Sequence, residues 1–177
     1  MITKDNFVEV SPYDFSSAVF NDIAKKWMLI GTPDSEKGGV NAMTASWGGV
    51  GIIWNKPYAV CFIRPQRYSF ELAEKCDKIG LSFLSDDCED ARKIYNVCGT
   101  KSGRDTDKIA ETGLTHIDFD GAVGFAEADT VIVCKKIYCD MIKPECFLDS
   151  SIIGTAYPNG DFHKLYLCEI EKIYVRK

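Results

Sequence analysis

Two arginines, an amide and a hydroxyl are gathered in Arg64-Pro65-Gln66-Arg67-Tyr68-Ser69, directly after the apolar run Tyr58 to Ile63. At the end of a strand such a set makes a donor-rich pocket for a phosphate or carboxylate, because the guanidinium fork matches those oxyanions. Upstream, Asn41-Ala42-Met43-Thr44-Ala45-Ser46-Trp47-Gly48-Gly49 alternates small residues and hydroxyls ahead of an aromatic. Glycine in a strand lets a flat ligand approach the backbone closely, and the amides of Thr44 to Trp47 suit the edge of a planar heterocycle. Read alone, the same stretch is a glycine-weakened strand with Trp47 in the core. The two segments together point to a phosphorylated, planar cofactor.

Two weaker signals accompany them. Ser102-Gly103-Arg104-Asp105-Thr106-Asp107-Lys108 holds a hydroxyl, a glycine and two cations, enough to complete a phosphate site or to form an exposed loop with internal ion pairs. His163, at the start of the last apolar-polar alternation, either faces a substrate or is structural.

The elements that must position these groups are mostly strands. Trp27 to Thr32 reads as a short buried strand stopped by Pro33, and Asn41 to Trp54 as a long strand region interrupted by glycines. Asn55-Lys56-Pro57 is a turn, Tyr58 to Ile63 the next strand, and Lys78 to Leu84 another. His116 to Phe119, Ala128 to Met141 and Phe162 to Val175 follow; the last shifts its alternation between Leu167 and Ile170, which predicts a bulge. Helices are expected after Ser11-Pro12 to near Lys26, over Tyr68 to Cys76, over Asp87 to Cys98 with Asp86 and Glu89 at its start, and for one turn at Lys108 to Glu111. The helix after Tyr68 would add free amides and a positive dipole end to the anion pocket. The helices are short insertions and few of them lie between parallel-looking strands, so a closed antiparallel barrel is favoured over a doubly wound sheet.

Composition narrows the partners. A chain of 177 residues without an internal repeat or linker is expected to form one domain over 1–177. Its net charge of −5, with no basic block, argues against nucleic acid and anionic membranes. No apolar h-region opens the chain, so the cytoplasm is the expected compartment. The eight cysteines include no Cys-x-x-Cys pair and are accompanied by only two histidines, so no metal site is expected and the thiols read as buried or idle. No Gly-x-Gly-x-x-Gly is present, so a Rossmann nicotinamide site is not supported.

In this order, Asn41 to Trp47, Arg64 to Ser69, Ser102 to Asp105 with Lys108, and Tyr157-Pro158-Asn159-Gly160-Asp161-Phe162-His163 resemble the flavin reductase-like family with an FMN-binding split barrel, especially its flavoredoxin-like members. The resemblance runs from about Trp27 to the C-terminus. It implies a mainly β, six-stranded Greek-key split barrel with short peripheral helices, dimerising with FMN near the subunit interface. Asn41, Met43, Thr44, Ala45, Ser46 and Trp47 would line the flavin ring. Arg67, Ser69, Ser102 and Lys108 would grip the phosphate, with Arg64 or Gln66 on ribityl or phosphate oxygens and Tyr68 beside them. His163 would stand on the nicotinamide side. One departure is Cys168 before Glu169, where many relatives carry glycine. The implied reaction is hydride transfer from NADH or NADPH to FMN, which passes electrons to an acceptor. The alternative is a flavoredoxin-like carrier reduced by a redox protein partner. A non-flavin module that binds another phosphate is a third, more distant reading.

Overall fold

The computed structural model describes residues 2–177. One antiparallel sheet dominates, built from β1 (Phe7–Val10), β2 (Met28–Asp34), β3 (Gly39–Ala45), β4 (Gly48–Ile53), β5 (Lys56–Ile63), β6 (Lys78–Leu84), β9 (Ala128–Met141) and β10 (Lys164–Arg176). Its strand order is β3-β2-β6-β9-β10-β5-β4, and a small hairpin of β7 (His116–Phe119) and β8 (Ala122–Phe125) packs outside it. The first six strands in that order correspond to the expected barrel. β4 extends the row as a hairpin with β5, and β1 pairs with the end of β10 that β5 leaves uncovered, so the sheet has eight strands.

β3 and β4 stand at opposite ends of the row yet are consecutive in the chain, separated only by Ser46 and Trp47. The two edges of the curled sheet are therefore brought together by this two-residue crossing, which forms the split.

Alternation decides what faces inward. Met28 and Ile30, Ala59 and Cys61, Ile79 and Leu81, Ile132 and Cys134, and Tyr166 and Cys168 all point into one buried cluster at the period of two that strands impose. Each large apolar side chain buried there contributes roughly 1.5–3 kcal/mol. On the outer face, Leu29, Ala42 and Leu84 meet Ile94, Tyr95 and Cys98 of the helix α3 (Ala91–Thr100), together with Val123 and Phe125 of β8. Gly31 and Gly80 allow that hairpin to lie on the sheet: a Cβ on either would fall 2.3 and 2.0 Å from the carbonyl oxygen of Val123.

The remaining helices are short: α1 (Val19–Asn21), α2 (Tyr68–Lys75), α4 (Lys108–Thr112) and α5 (Ser151–Ala156). Several boundaries differ from expectation. β2 continues through Pro33 because β6 pairs only with Leu29 to Gly31, so the missing N–H costs no ladder bond on that side. The helix expected after Ser11-Pro12 is reduced to α1 and a π-turn over Asp22–Lys26. α3 begins after Asp90 and runs through Gly99, so Asp86 and Glu89 do not cap it. β4 and β5 meet at Trp54-Asn55, whose positive φ angles of 51 and 57° are those of a tight hairpin turn. In β10 the pairing with β9 shifts at Leu167/Cys168 and again at Ile170/Lys172, where one irregularity was expected. No helix among the described residues is long and apolar enough to cross a membrane.

Candidate cofactor-binding site

The split opens into a cavity of about 240 Å³ lined by Met43, Thr44, Ala45, Ser46, Trp47, Phe62, Arg64, Arg67 and His163. Because β3 ends the row of strands, one of its edges has no ladder partner, and the backbone groups of every second residue, which point to that edge, are available to a ligand. The Thr44 side chain is not: its hydroxyl donates to the Tyr95 carbonyl at 2.7 Å, which ties β3 to α3.

Arg67 stands at the N-cap of α2 and reaches across to the C-terminal end of α3. Its Nη1 donates to the Gly99 carbonyl at 2.7 Å and its Nη2 to the Cys98 carbonyl at 3.0 Å. The last carbonyls of a helix carry the negative end of its dipole, so this anchor is favourable, and it fixes the guanidinium plane while leaving further N–H groups to a ligand. Burial lowers the Arg67 pKa, and no carboxylate pairs with it.

Toward the start of β3 lies a second cavity of about 230 Å³, lined by Asp34, Lys37, Val40, Asn41, Gly103 and Lys108 among others. Lys108 is 3% exposed, and its ammonium donates to the Ala42 carbonyl. Burial pushes its pKa down to about 8, and the charge of Arg67 adds to that fall. Near both cations sits the Cys98 thiol, which burial pushes up to about 11, so it stays neutral.

Arg64 differs in being paired. It bonds Asp161, donates to the Ala156 carbonyl at 3.1 Å, and lies 5.6 Å from the centre of the Tyr157 ring. Gln66 also donates to Asp161, at 2.8 Å, and lines neither cavity. These bonds, with Gln66 the larger contributor, hold the Asp161 carboxyl below the usual range. His163 is nearly buried; its ring centre lies 5.0 Å from that of Trp47, and its Nδ1 is 3.0 Å from the Tyr157 hydroxyl. Burial, then the charge of Arg64, lowers its pKa to about 4, so the imidazole is neutral at physiological pH.

The expected residues thus divide. Met43 to Trp47, Arg64, Arg67 and His163 share one cavity, and Asn41 and Lys108 line the second. Three others are used in packing the loops. Ser69 accepts from Asn41 at 2.8 Å within the interior. Tyr68 is buried, with its hydroxyl on Asp34 at 2.9 Å and the cations of Lys37 and Arg104 near its ring. Ser102 accepts from the Arg104 amide at 3.2 Å and lines neither cavity. Gly103 is required where this loop crosses, since a Cβ would fall 2.4 Å from Asn41 Oδ1. Phe62, Tyr157 and Asp161 are additions. The last two lie inside the Tyr157 to His163 stretch, where an aromatic and an acid flank the histidine; Phe62 is signalled only by alternating with the inward Cys61 and Ile63.

No protein-family model and no curated protein matches the chain. Solved structures do. An FMN-binding domain of a flavin reductases-like enzyme from Shewanella baltica OS155 is 14% identical, with 99% of this chain and 79% of that one covered and a TM-score of 0.66. The flavoredoxin of Desulfovibrio vulgaris (Miyazaki F) is 19% identical over 96% of this chain and 78% of its own, at a TM-score of 0.65. The flavin reductase PheA2 is 17% identical over 89% and 83%, at 0.59. At such identities the likeness speaks for architecture, and the chain has the split-barrel fold of FMN-binding flavin reductase-like proteins and flavoredoxins.

Proposed function

We propose that this chain binds FMN and works as an NADH- or NADPH-dependent flavin reductase. One observation carries the reading: Lys108 is a buried cation and Arg67 a half-buried one, and neither has a carboxylate partner. Buried charges are ordinarily paired, so an anion supplied by a ligand is the expected complement, and a phosphate monoester fits both the charge and the donors. The unpartnered edge of β3 beside them suits a flat heteroaromatic ring, and the two cavities, lined by successive parts of β3, suit an elongated ligand laid along that strand.

In this reading Arg67 and Lys108 hold the phosphate, and the backbone of Met43 to Trp47 orients the ring. Arg64 stays on Asp161 and stiffens the wall. Bound flavin supplies hydride acceptance and onward electron transfer. An apolar hollow of about 620 Å³, sharing Trp47 with the first cavity, gives the nicotinamide or the electron acceptor a way in. A homodimer belongs to the same reading and is checked by light scattering.

The test is direct. Purified protein should show the visible bands of oxidised flavin, or the apoprotein should release heat on FMN titration. A colourless protein with no heat on FMN addition refutes the reading. Anaerobic stopped-flow with NADH and NADPH then decides the reductant: if neither bleaches bound flavin, the reductase role fails and a carrier reduced by a protein partner replaces it.

A further inference from the structure

His163 enters the cavity from the extension of β10, and its main chain is fixed: the Ile142 amide donates to the His163 carbonyl at 2.9 Å. One ring nitrogen is fixed as well, since Nδ1 stands 3.0 Å from the hydroxyl of Tyr157, itself 4% exposed and edge-on to the imidazole with ring centres 5.6 Å apart. Turning the ring over would exchange Nδ1 for a carbon and leave a buried hydroxyl without its partner, which costs roughly 1–3 kcal/mol.

The direction of this bond follows from acidity. A phenol, with a pKa of about 10, gives its proton to a hydrogen bond far more readily than a neutral imidazole N–H does. Burial raises the Tyr157 pKa and the Arg64 guanidinium beside its ring opposes that rise, while burial and the same guanidinium keep the imidazole neutral, so the phenol remains the donor. The charged groups facing this pair are Arg64 and Asp161, and they are bonded to each other.

We propose that Tyr157 is a positioning residue that holds His163 as the neutral tautomer protonated on Nε2, giving the cavity one permanent, uncharged hydrogen-bond donor. A donor of this kind favours a ligand group that offers a neutral acceptor oxygen, such as a carboxamide or quinone-type carbonyl. It neither attracts a second anion nor takes a proton from the ligand. The assignment of a role in hydride transfer rests on the flavin reading; the tautomer does not.

The experiment separates the two. The chain has only two histidines, so ¹⁵N-histidine labelling and two-bond ¹H–¹⁵N NMR give two ring systems, and His116→Gln assigns them. We expect the Nε2–H pattern for His163 between pH 6 and 9 in the wild type, and tautomer averaging or inversion in Tyr157→Phe, which keeps the ring and loses the hydroxyl. An Nδ1–H pattern in the wild type, or an unchanged pattern in Tyr157→Phe, overturns the inference. With FMN bound, Tyr157→Phe should slow flavin reduction by about tenfold, the scale of one hydrogen bond to a reacting group, with FMN affinity held within about twofold. Equal rates would remove Tyr157 from that role. If FMN does not bind the wild type while the tautomer is as expected, the flavin reading falls and the positioning stands.

Discussion

Replacing Lys108 by methionine should stabilise the ligand-free protein and weaken its ligand. The Lys108 ammonium is buried, donates only to the Ala42 carbonyl, and has its pKa lowered from 10.5 to about 8, chiefly by burial. That fall corresponds to about 3 kcal/mol of penalty when the group is charged in the fold. Methionine keeps most of the volume and removes the charge, but leaves the Ala42 carbonyl without its donor, which returns about 1–2 kcal/mol. At pH 7 the variant should therefore be more stable by about 1–2 kcal/mol. The sign depends on pH. Between about 8 and 10.5 the unfolded chain holds a proton on Lys108 that the folded chain has lost, so wild-type stability rises with pH through this window. Below 8 both states are protonated and the penalty is complete; above 10.5 it has vanished. Chemical denaturation of both proteins from pH 7 to 10.5 isolates the group in their difference, because every other titration is common to both. The advantage of Lys108→Met should shrink across the window and then reverse. FMN, if it places its phosphate here, should bind the variant ten- to a hundredfold more weakly, the worth of a charged hydrogen bond. Parallel stability curves would refute the buried-cation argument, and unchanged FMN affinity would take Lys108 out of the phosphate grip.

Two further outcomes follow from the same geometry. Arg67→Ala should lower FMN affinity by about 1.5–3 kcal/mol and also loosen the end of α3 that its guanidinium bonds, read by titration calorimetry and by amide exchange at Gly99 and Thr100; intact affinity would move the phosphate elsewhere. Gly80→Ala should cost more than about 3 kcal/mol or abolish folding, since its Cβ would collide with backbone and not with a side chain that can turn away; a thermal melt within a few degrees of the wild type would contradict the close approach of β8.

Strand positions were largely legible because alternation is a local property. Ile79 and Leu81, or Tyr166 and Cys168, reveal their shared face in the sequence itself. What could not be read is which neighbour a strand finds. Pro33 looks like a stop until β6 is seen to pair only as far as Gly31. The break between Ala45 and Gly48 becomes meaningful only once β3 and β4 are placed at the two ends of the sheet. The site behaved in the same way. Residue type marked Arg64 and Arg67 equally as anion ligands, yet a distant Asp161 neutralises one while helix carbonyls position the other and leave its charge unmatched. Ser69 and Tyr68 carried the right chemistry in the right segment, and Asn41 and Asp34 took them up. Nothing in the sequence pairs Tyr157 with His163 although they are six residues apart, because the contact is made only when the loop between them folds back on itself.

The two-residue crossing at Ser46-Trp47 has a mechanical meaning. A molecule held between Met43–Trp47 on one side and Arg64, Arg67 and His163 on the other would join β3, at one end of the curled sheet, to the segments that leave β5 and enter β10 toward the other end. It would act as a latch on the barrel. Ligand occupancy and closure are then one equilibrium, and saturation at a hundred times the dissociation constant would add about 2.7 kcal/mol to the stability of the closed form. Amides of β3 and of the Ser46-Trp47 crossing should exchange fastest in the empty protein and slow most when it is filled, while the centre of the sheet at β6 and β9 keeps its protection throughout. The seam that admits the ligand is also the place where the empty barrel would begin to open.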